Sequence, residues 1–169
     1  MRRGNIIAFK GRGFTFTILS FLLSIFDKEW RGEDWKPWHL AIAWARAYGG
    51  WYILEATGAG VKINFYDNKF LESNTRSWEW LGEKPDSDKM AQFLKEHILK
   101  RYDVAVYFWT IAQYLVRHYF HHSLPLVLNN RYSCWELVDE WCDEMGKPWA
   151  PKYGFPLITD FLKAVKQSP

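Results

Sequence analysis

Ser133-Cys134-Trp135-Glu136 places a thiol where a helix should begin. The spacing Ser-x-x-Glu is a capping box, and it opens an apolar-periodic run that ends near Gly146. With Ser133 as N-cap, its hydroxyl accepts from the Glu136 amide while the Glu136 carboxylate reaches back to the Ser133 amide. Cys134 is then the first helical residue. Unpaired amides and the positive end of the helix dipole surround that position, and both favour a thiolate. A small buried cysteine that merely begins a helix fits the position equally well. A thiolate that works as a nucleophile needs a base to manage its proton and a group to orient that base. His39 and Glu55 have the residue types and the places that fit those two roles.

Two strands must position the base and its orienter. Trp38 to Ala45 alternates in size: Trp38, Leu40, Ile42 and Trp44 point one way, His39, Ala41, Ala43 and Ala45 the other. The large residues enter a core, and the alanine row leaves room for a group to pack beside the imidazole. Gly49-Gly50 makes the turn, and Trp51 to Thr57 returns as a strand carrying Glu55. Side chains alternate along strands, so Glu55 shares the face of His39 only if the connecting loop has an odd number of residues. A three-residue loop around Ala47–Gly49, or a five-residue loop, meets that condition. A two- or four-residue turn fails it unless a bulge intervenes.

Other elements follow from the same signals. Asn5 to Lys10 is β-rich, and Gly11-Arg12-Gly13 breaks it before an apolar helix from Phe14 to Phe26, read as buried. Val61 to Tyr66 follows Gly58-Ala59-Gly60 as a further strand. Residues 67–87 are polar and loop-rich, with Arg76 to Leu81 able to extend the sheet. Asp86 to Lys100 reads as a helix, capped near Ser87 or Asp88, with Met90, Phe93, Leu94, His97 and Ile98 on one face. Asp103 to Tyr119 is a second apolar helix, followed by a turn at Ser123-Leu124-Pro125 and a lead-in over Asn129–Ser133. Gly146 and Pro148 stop the Cys134 helix, and Thr159 to Lys166 is a last short helix.

Composition excludes several classes. The chain has 169 residues, 49% of them apolar, which suits one folded domain over 1–169 and not a disordered chain. Aromatic residues reach 19%, with eleven Trp, enough to fill a core and also line a groove. The net charge of +3 comes from dispersed Lys and Arg, so no nucleic-acid partner is expected. Cys134 and Cys142 would lie roughly 12 Å apart on one helix, too far to bridge. The thirteen-residue run from Phe14 to Phe26 is too short to span a bilayer, and no small-residue cleavage site follows it. A cytoplasmic, virion- or assembly-associated location is therefore expected, with membrane-surface contact as a minor alternative. His118, His121 and His122 have helical spacing but no evident third-ligand partner, so they read as a surface cluster and no metal or other cofactor is expected. Asp139, Glu140, Asp143 and Glu144 read as the solvated face of the Cys134 helix.

Several of these pieces together resemble a known family. Gly4-Asn5-Ile6-Ile7-Ala8-Phe9-Lys10-Gly11 is similar to the opening "GDIILFRG" of circularly permuted NlpC-type, papain-like cysteine peptidases and amidases, in particular the YiiX-like branch. Trp38-His39-Leu40-Ala41-Ile42-Ala43 resembles the strand that begins with the family's catalytic His. Ile53-Leu54-Glu55-Ala56 matches the strand ending in "E-A", and Tyr102-Asp103 the "Y-D" segment before a helix. Tyr132-Ser133-Cys134-Trp135-Glu136-Leu137-Val138 is close to "C-S-E-L-V". The resemblance covers about residues 4–146. Asn5 replaces the usual Asp, Trp135 stands where a small residue is usual, and the hairpin loop reads as long.

The resemblance implies Cys134 as nucleophile, His39 as general base and then acid, and Glu55 as orienter of the imidazole, with the Cys134 amide in an oxyanion hole. Tyr102, Trp38 and Trp135 are the expected substrate contacts. The expected architecture is one α+β domain of permuted papain-like type, a small antiparallel sheet or half-barrel packed against the Cys-bearing helix. The leading expectation is a thiol hydrolase cleaving an amide in a peptide or peptidoglycan stem. Acyl transfer or thioester or lipid hydrolysis on the same fold is the second, and a non-catalytic structural or binding module the third.

Overall fold

The alternation at Trp38–Ala45 becomes a strand with both faces covered. The computed structural model describes residues 1–13, 17, 20–21, 23–25, 27–32, 34–79, 85–103, 105–122, 124, 131–149 and 157–167. Five strands form one antiparallel sheet: β1 (Ile6–Lys10), β2 (Pro37–Ala47), β3 (Gly50–Thr57), β4 (Gly60–Asp67) and β5 (Thr75–Trp78). Their order is β4-β3-β2-β1-β5. Leu40 and Ile42 join Ile6, Leu54 and Val61 in the larger core, whereas Ala41 and Ala43 join Ile7, Ile53 and Leu71 in a smaller one. The alanine row is thus not open space: Leu71 closes that face.

Leu71 belongs to a helix that apolar periodicity does not reveal. Residues 68–74, read as loop, form α2 (Asn68–Asn74), after α1 (Lys28–Arg31). The Asp67 carboxylate caps α2, accepting from the Phe70 amide at 2.7 Å. β5 then takes up Thr75 and residues 76–78 of the stretch read as able to extend the sheet, and residues 80–84 lie outside the described ones.

The larger core lies between the sheet and the helices α3 (Ser87–His97), α4 (Val106–Phe120), α5 (Cys134–Glu144) and α6 (Ile158–Gln167). α5 packs on β2 and β3 and buries Cys134, Trp135, Leu137, Val138, Trp141 and Cys142. Trp141 is fully buried, and its indole N–H donates to the Gly4 carbonyl at 3.3 Å. Truncating such a residue costs about 3–5 kcal/mol. Both cysteines are free.

Some helix ends differ from the sequence reading. α3 is capped by Asp86, not by Ser87 or Asp88, and stops at His97. Leu99 turns to a positive φ of 67°, and the Leu99 amide and Lys100 carbonyl bond to Val61 instead. Pairing with β4 therefore ends the helix. α4 starts at Val106 because the Asp103 carboxylate holds the Ala105 amide at 3.0 Å in the approach to it. In the 14–26 run, the described residues 17, 20, 21 and 23–25 are helical, but that helix is only half-buried: Leu23 is covered, whereas Phe21 and Ile25 are exposed. The turn at 123–125 lies outside the described residues except for Leu124. Of the 129–133 lead-in, Arg131–Tyr132 forms β7, paired parallel with β6 (Arg101–Tyr102). Among the described residues no helix is long and apolar enough to cross a membrane.

Candidate active site

The capping box at the start of α5 is complete. The Glu136 amide donates to Ser133 Oγ at 3.2 Å, and the Ser133 amide donates to Glu136 Oε2 at 2.8 Å. The first intrahelical bond runs from the Leu137 amide to the Ser133 carbonyl. Cys134 is accordingly the first helical residue, with its amide in the turn that has no partner inside the helix. Its residue surface is 2% exposed.

His39 and Glu55 meet through a bulge. β2 runs on to Ala47, which pairs with Gly50, so Tyr48-Gly49 is a two-residue turn and the hairpin loop is short, not long. That turn by itself puts His39 and Glu55 on opposite faces. Between Ala43 and Ala45 the register slips by one residue, with Trp44 as the extra one. From there the pairs are Ala43–Ile53 and Ile42–Leu54, which returns Glu55 to the face of His39. His39 Nε2 and Glu55 Oε2 are 2.6 Å apart.

Two residues of β4, not identified from the sequence, complete the carboxylate's surroundings. Asn64 Nδ2 donates to Glu55 Oε1 at 2.5 Å, and the Tyr66 hydroxyl donates to the same oxygen at 2.7 Å. The tight turn pairing Thr57 with Gly60 sets Glu55 opposite Lys62, which puts Asn64 and Tyr66 on its face. Gly58-Ala59-Gly60, read only as a break before the next strand, supplies that turn. Phe9 lies opposite His39, their ring centroids 5.4 Å apart, and also touches Tyr66.

Electrostatics follow from these contacts. Glu55 is only 2% exposed, which opposes its charge, but hydrogen bonds from His39, Asn64 and Tyr66 outweigh burial and hold its carboxyl below the ordinary range. Burial and the Glu55 carboxylate push the Tyr66 phenol up, so it stays a protonated donor. The Cys134 side chain shares the cleft with the ring and acts on it electrostatically as well. Burial works against a charged imidazole, yet the neighbouring Cys134 and Glu55 outweigh it and raise the His39 pKa to about 10. A ring so held presents a positive charge to the Cys134 side chain.

A cleft of about 320 Å³ opens over this group, lined by His39, Glu55, Cys134, Trp38, Trp135 and Tyr102 together with residues 56–58. It lies where β2 begins, β3 ends and α5 starts. All three expected substrate contacts are on its wall. Trp135 is 5% exposed, packed into the wall without filling the cleft.

Other candidate groups lie elsewhere. His97 is buried, with Nδ1 on the Phe93 carbonyl at 2.7 Å and Nε2 3.2 Å from Glu140 Oε1. Glu140 thus ties α5 to α3 and does not belong to a purely solvated face. His118, His121 and His122 are exposed, and the described residues hold no group of three side chains suited to a metal ion. No protein-family model matches the chain, and no curated protein matches it.

Proposed function

We propose that this protein is a cysteine hydrolase of permuted papain-like type that cleaves an amide bond in a peptide or peptidoglycan stem through an acyl-enzyme on Cys134. One observation carries the reading: a thiol at a helix N-terminus shares one cleft with an imidazole whose Nε2 lies 2.6 Å from a buried carboxylate. A merely structural cysteine needs neither partner. The order along the chain, His39 then Glu55 then Cys134, and the flanking motifs support the same family.

The Cys134 thiolate attacks the amide carbon, forming the C–S bond and moving an electron pair to the carbonyl oxygen. The main-chain N–H of Cys134, at the positive end of α5, is the donor for that oxyanion, a contribution worth about 10²–10³ in rate. Collapse breaks the C–N bond while the His39 imidazolium gives its proton to the departing nitrogen. Neutral His39 then takes a proton from water, the oxygen of that water attacks the thioester, and cleavage of C–S returns the thiolate and the imidazolium. Glu55 stays ionised and holds the ring in orientation, as in other triads.

The test is to incubate the protein with a peptide mixture and with purified peptidoglycan, and to read new amine and carboxyl ends by mass spectrometry. Cleavage by wild type and none by Cys134→Ser is expected. Equal product from both, or no product and no Cys134 acyl adduct with activated esters, overturns the proposal.

A further inference from the structure

Glu55 spends only one of its oxygens on His39. Oε2 lies 2.6 Å from His39 Nε2, while Oε1 accepts from Asn64 Nδ2 at 2.5 Å and from the Tyr66 hydroxyl at 2.7 Å. An ionised carboxylate has about four acceptor sites on its two oxygens, so two donors fill Oε1. Turning the carboxylate to offer His39 a different edge would break both of those bonds at a side chain that is 2% exposed. The two donors therefore fix which oxygen faces the imidazole.

Both donors come from the edge strand β4 and stand behind the cleft. His39, Glu55 and Cys134 line it, but neither Asn64 nor Tyr66 is among the described residues that do. A molecule bound there meets the triad and not its support. Tyr66 is held from outside in turn. Its ring stacks on Phe70 of α2, with centroids 5.2 Å apart and planes 20° apart, and touches Phe9 at 5.3 Å. The ionisable groups that face Glu55 are His39 from β2, Tyr66 and the ladder partner Lys62 from β4, and Cys134 from α5 across the cleft. Of these, only His39 and Tyr66 hydrogen-bond the carboxylate, and burial with the neighbouring charge keeps the Tyr66 phenol protonated and donating.

We infer that Asn64 and Tyr66 are positioning residues of the reaction: by holding Glu55 Oε1 they keep Oε2 ionised and aimed at His39, and so set the acid end of the pH range in which Cys134 reacts. The inference rests on the acyl-enzyme reading above and extends it to two side chains that touch no substrate.

The experiment follows acylation of Cys134 by p-nitrophenyl acetate, read as the burst of p-nitrophenol, from pH 3.5 to 8. Wild type, Tyr66→Phe, Asn64→Leu, the double variant and Phe70→Leu are compared, each checked for folding by circular dichroism across the range. In the same proteins NMR gives the pH midpoint at which the His39 Nε2–H resonance responds to protonation of Glu55, with His39→Ala assigning the signal. Each donor removed is expected to raise the pH at which Glu55 takes up a proton by about one unit. Activity is lost as pH falls through that value, so the acid limb of the burst rate and the NMR midpoint should both move up by about one unit in each single variant and about two in the double. Phe70→Leu removes the stack but neither hydrogen bond, and its limb should stay with the wild type's. Limb and midpoint unmoved in Tyr66→Phe and Asn64→Leu overturn the positioning role and leave the hydrolase reading standing. A Phe70→Leu limb that moves as far as that of Tyr66→Phe also overturns it, because packing and not the hydrogen bond is then the cause. If Asn64→Leu does not fold, Tyr66→Phe, which keeps the whole ring, decides alone. No acylation of Cys134 in the wild type at any pH overturns the hydrolase reading and the positioning role with it.

Discussion

Replacing His39 with Ala removes the cation that faces the Cys134 sulfur, and the consequence is largest well below the pKa of a free thiol. An ordinary cysteine, with a pKa of about 8.5, is roughly 0.3% thiolate at pH 6. In the wild type the imidazole titrates at about 10, so at pH 6 it is protonated and the sulfur faces a full positive charge. Full ionisation of an ordinary thiol at that pH is worth about 300-fold in thiolate, which bounds the effect of such a charge. Part of it is offset, because nucleophilicity falls with basicity along a Brønsted slope of about 0.4–0.5. The net expectation is a 10- to 100-fold slower alkylation of Cys134 at pH 6 in His39→Ala. The assay is timed labelling with iodoacetamide from pH 5.5 to 8.5, followed by peptide mass spectrometry. Cys142 is an internal control: it is fully buried, and burial pushes its thiol well above the ordinary range, so it labels only if the protein opens. Wild-type Cys134 should label faster than the variant, with the gap widest at the acid end of the series, and the variant at a rate rising about tenfold per unit, as free thiols do. Wild-type Cys134 that follows the free-thiol profile, or a variant as fast as wild type with Cys142 still protected, would refute the ion pair.

Three further outcomes are expected. Glu55 is held below its ordinary 4.5, so its stabilisation is present above that pH and lost as pH falls through the folded value; His39 is raised from 6.5 to about 10, so its stabilisation is complete below 6.5 and lost as pH rises through 10. The difference in urea-unfolding free energy between wild type and Glu55→Gln should therefore peak between pH 5 and 6.5 and shrink on both sides, and a flat difference from pH 3 to 10 would contradict it. Ser133→Ala removes one half of the capping box and should cost about 0.5–2 kcal/mol in the same measurement, while Ser133→Asp should cost clearly less. Gly60 has a φ of +100°, and a Cβ there would lie 2.6 Å from the Lys100 carbonyl oxygen. Gly60→Ala should thus destabilise by more than about 1 kcal/mol, and amide exchange should quicken at Val61 and Leu99; unchanged exchange there would show the contact to be relaxed without cost.

Signals that span a few residues were legible in the chain. Ser133 and Glu136 are three apart, and nothing distant is needed for each to satisfy the other's amide, so the place of Cys134 at a helix start follows from the sequence. The alternation at Trp38–Ala45 likewise follows from the period of an extended backbone. The sequence also posed the parity condition for His39 and Glu55, because alternation is a rule about counting. It could not say which way the count came out. A two-residue turn at Tyr48-Gly49 and an extra residue at Trp44 cancel each other, and a bulge has no strong local signature because it is selected by how two strands fit together. Asn64 and Tyr66 look like ordinary strand residues until β4 is laid beside β3. α2 was hidden because its cap, Asp67, is polar and its one buried residue, Leu71, shows no period. Tertiary packing alone decided that the start of α5 lies where β2 begins and β3 ends. Bringing residues nearly a hundred positions apart into one cleft depends on both cores closing at once, not on any single segment.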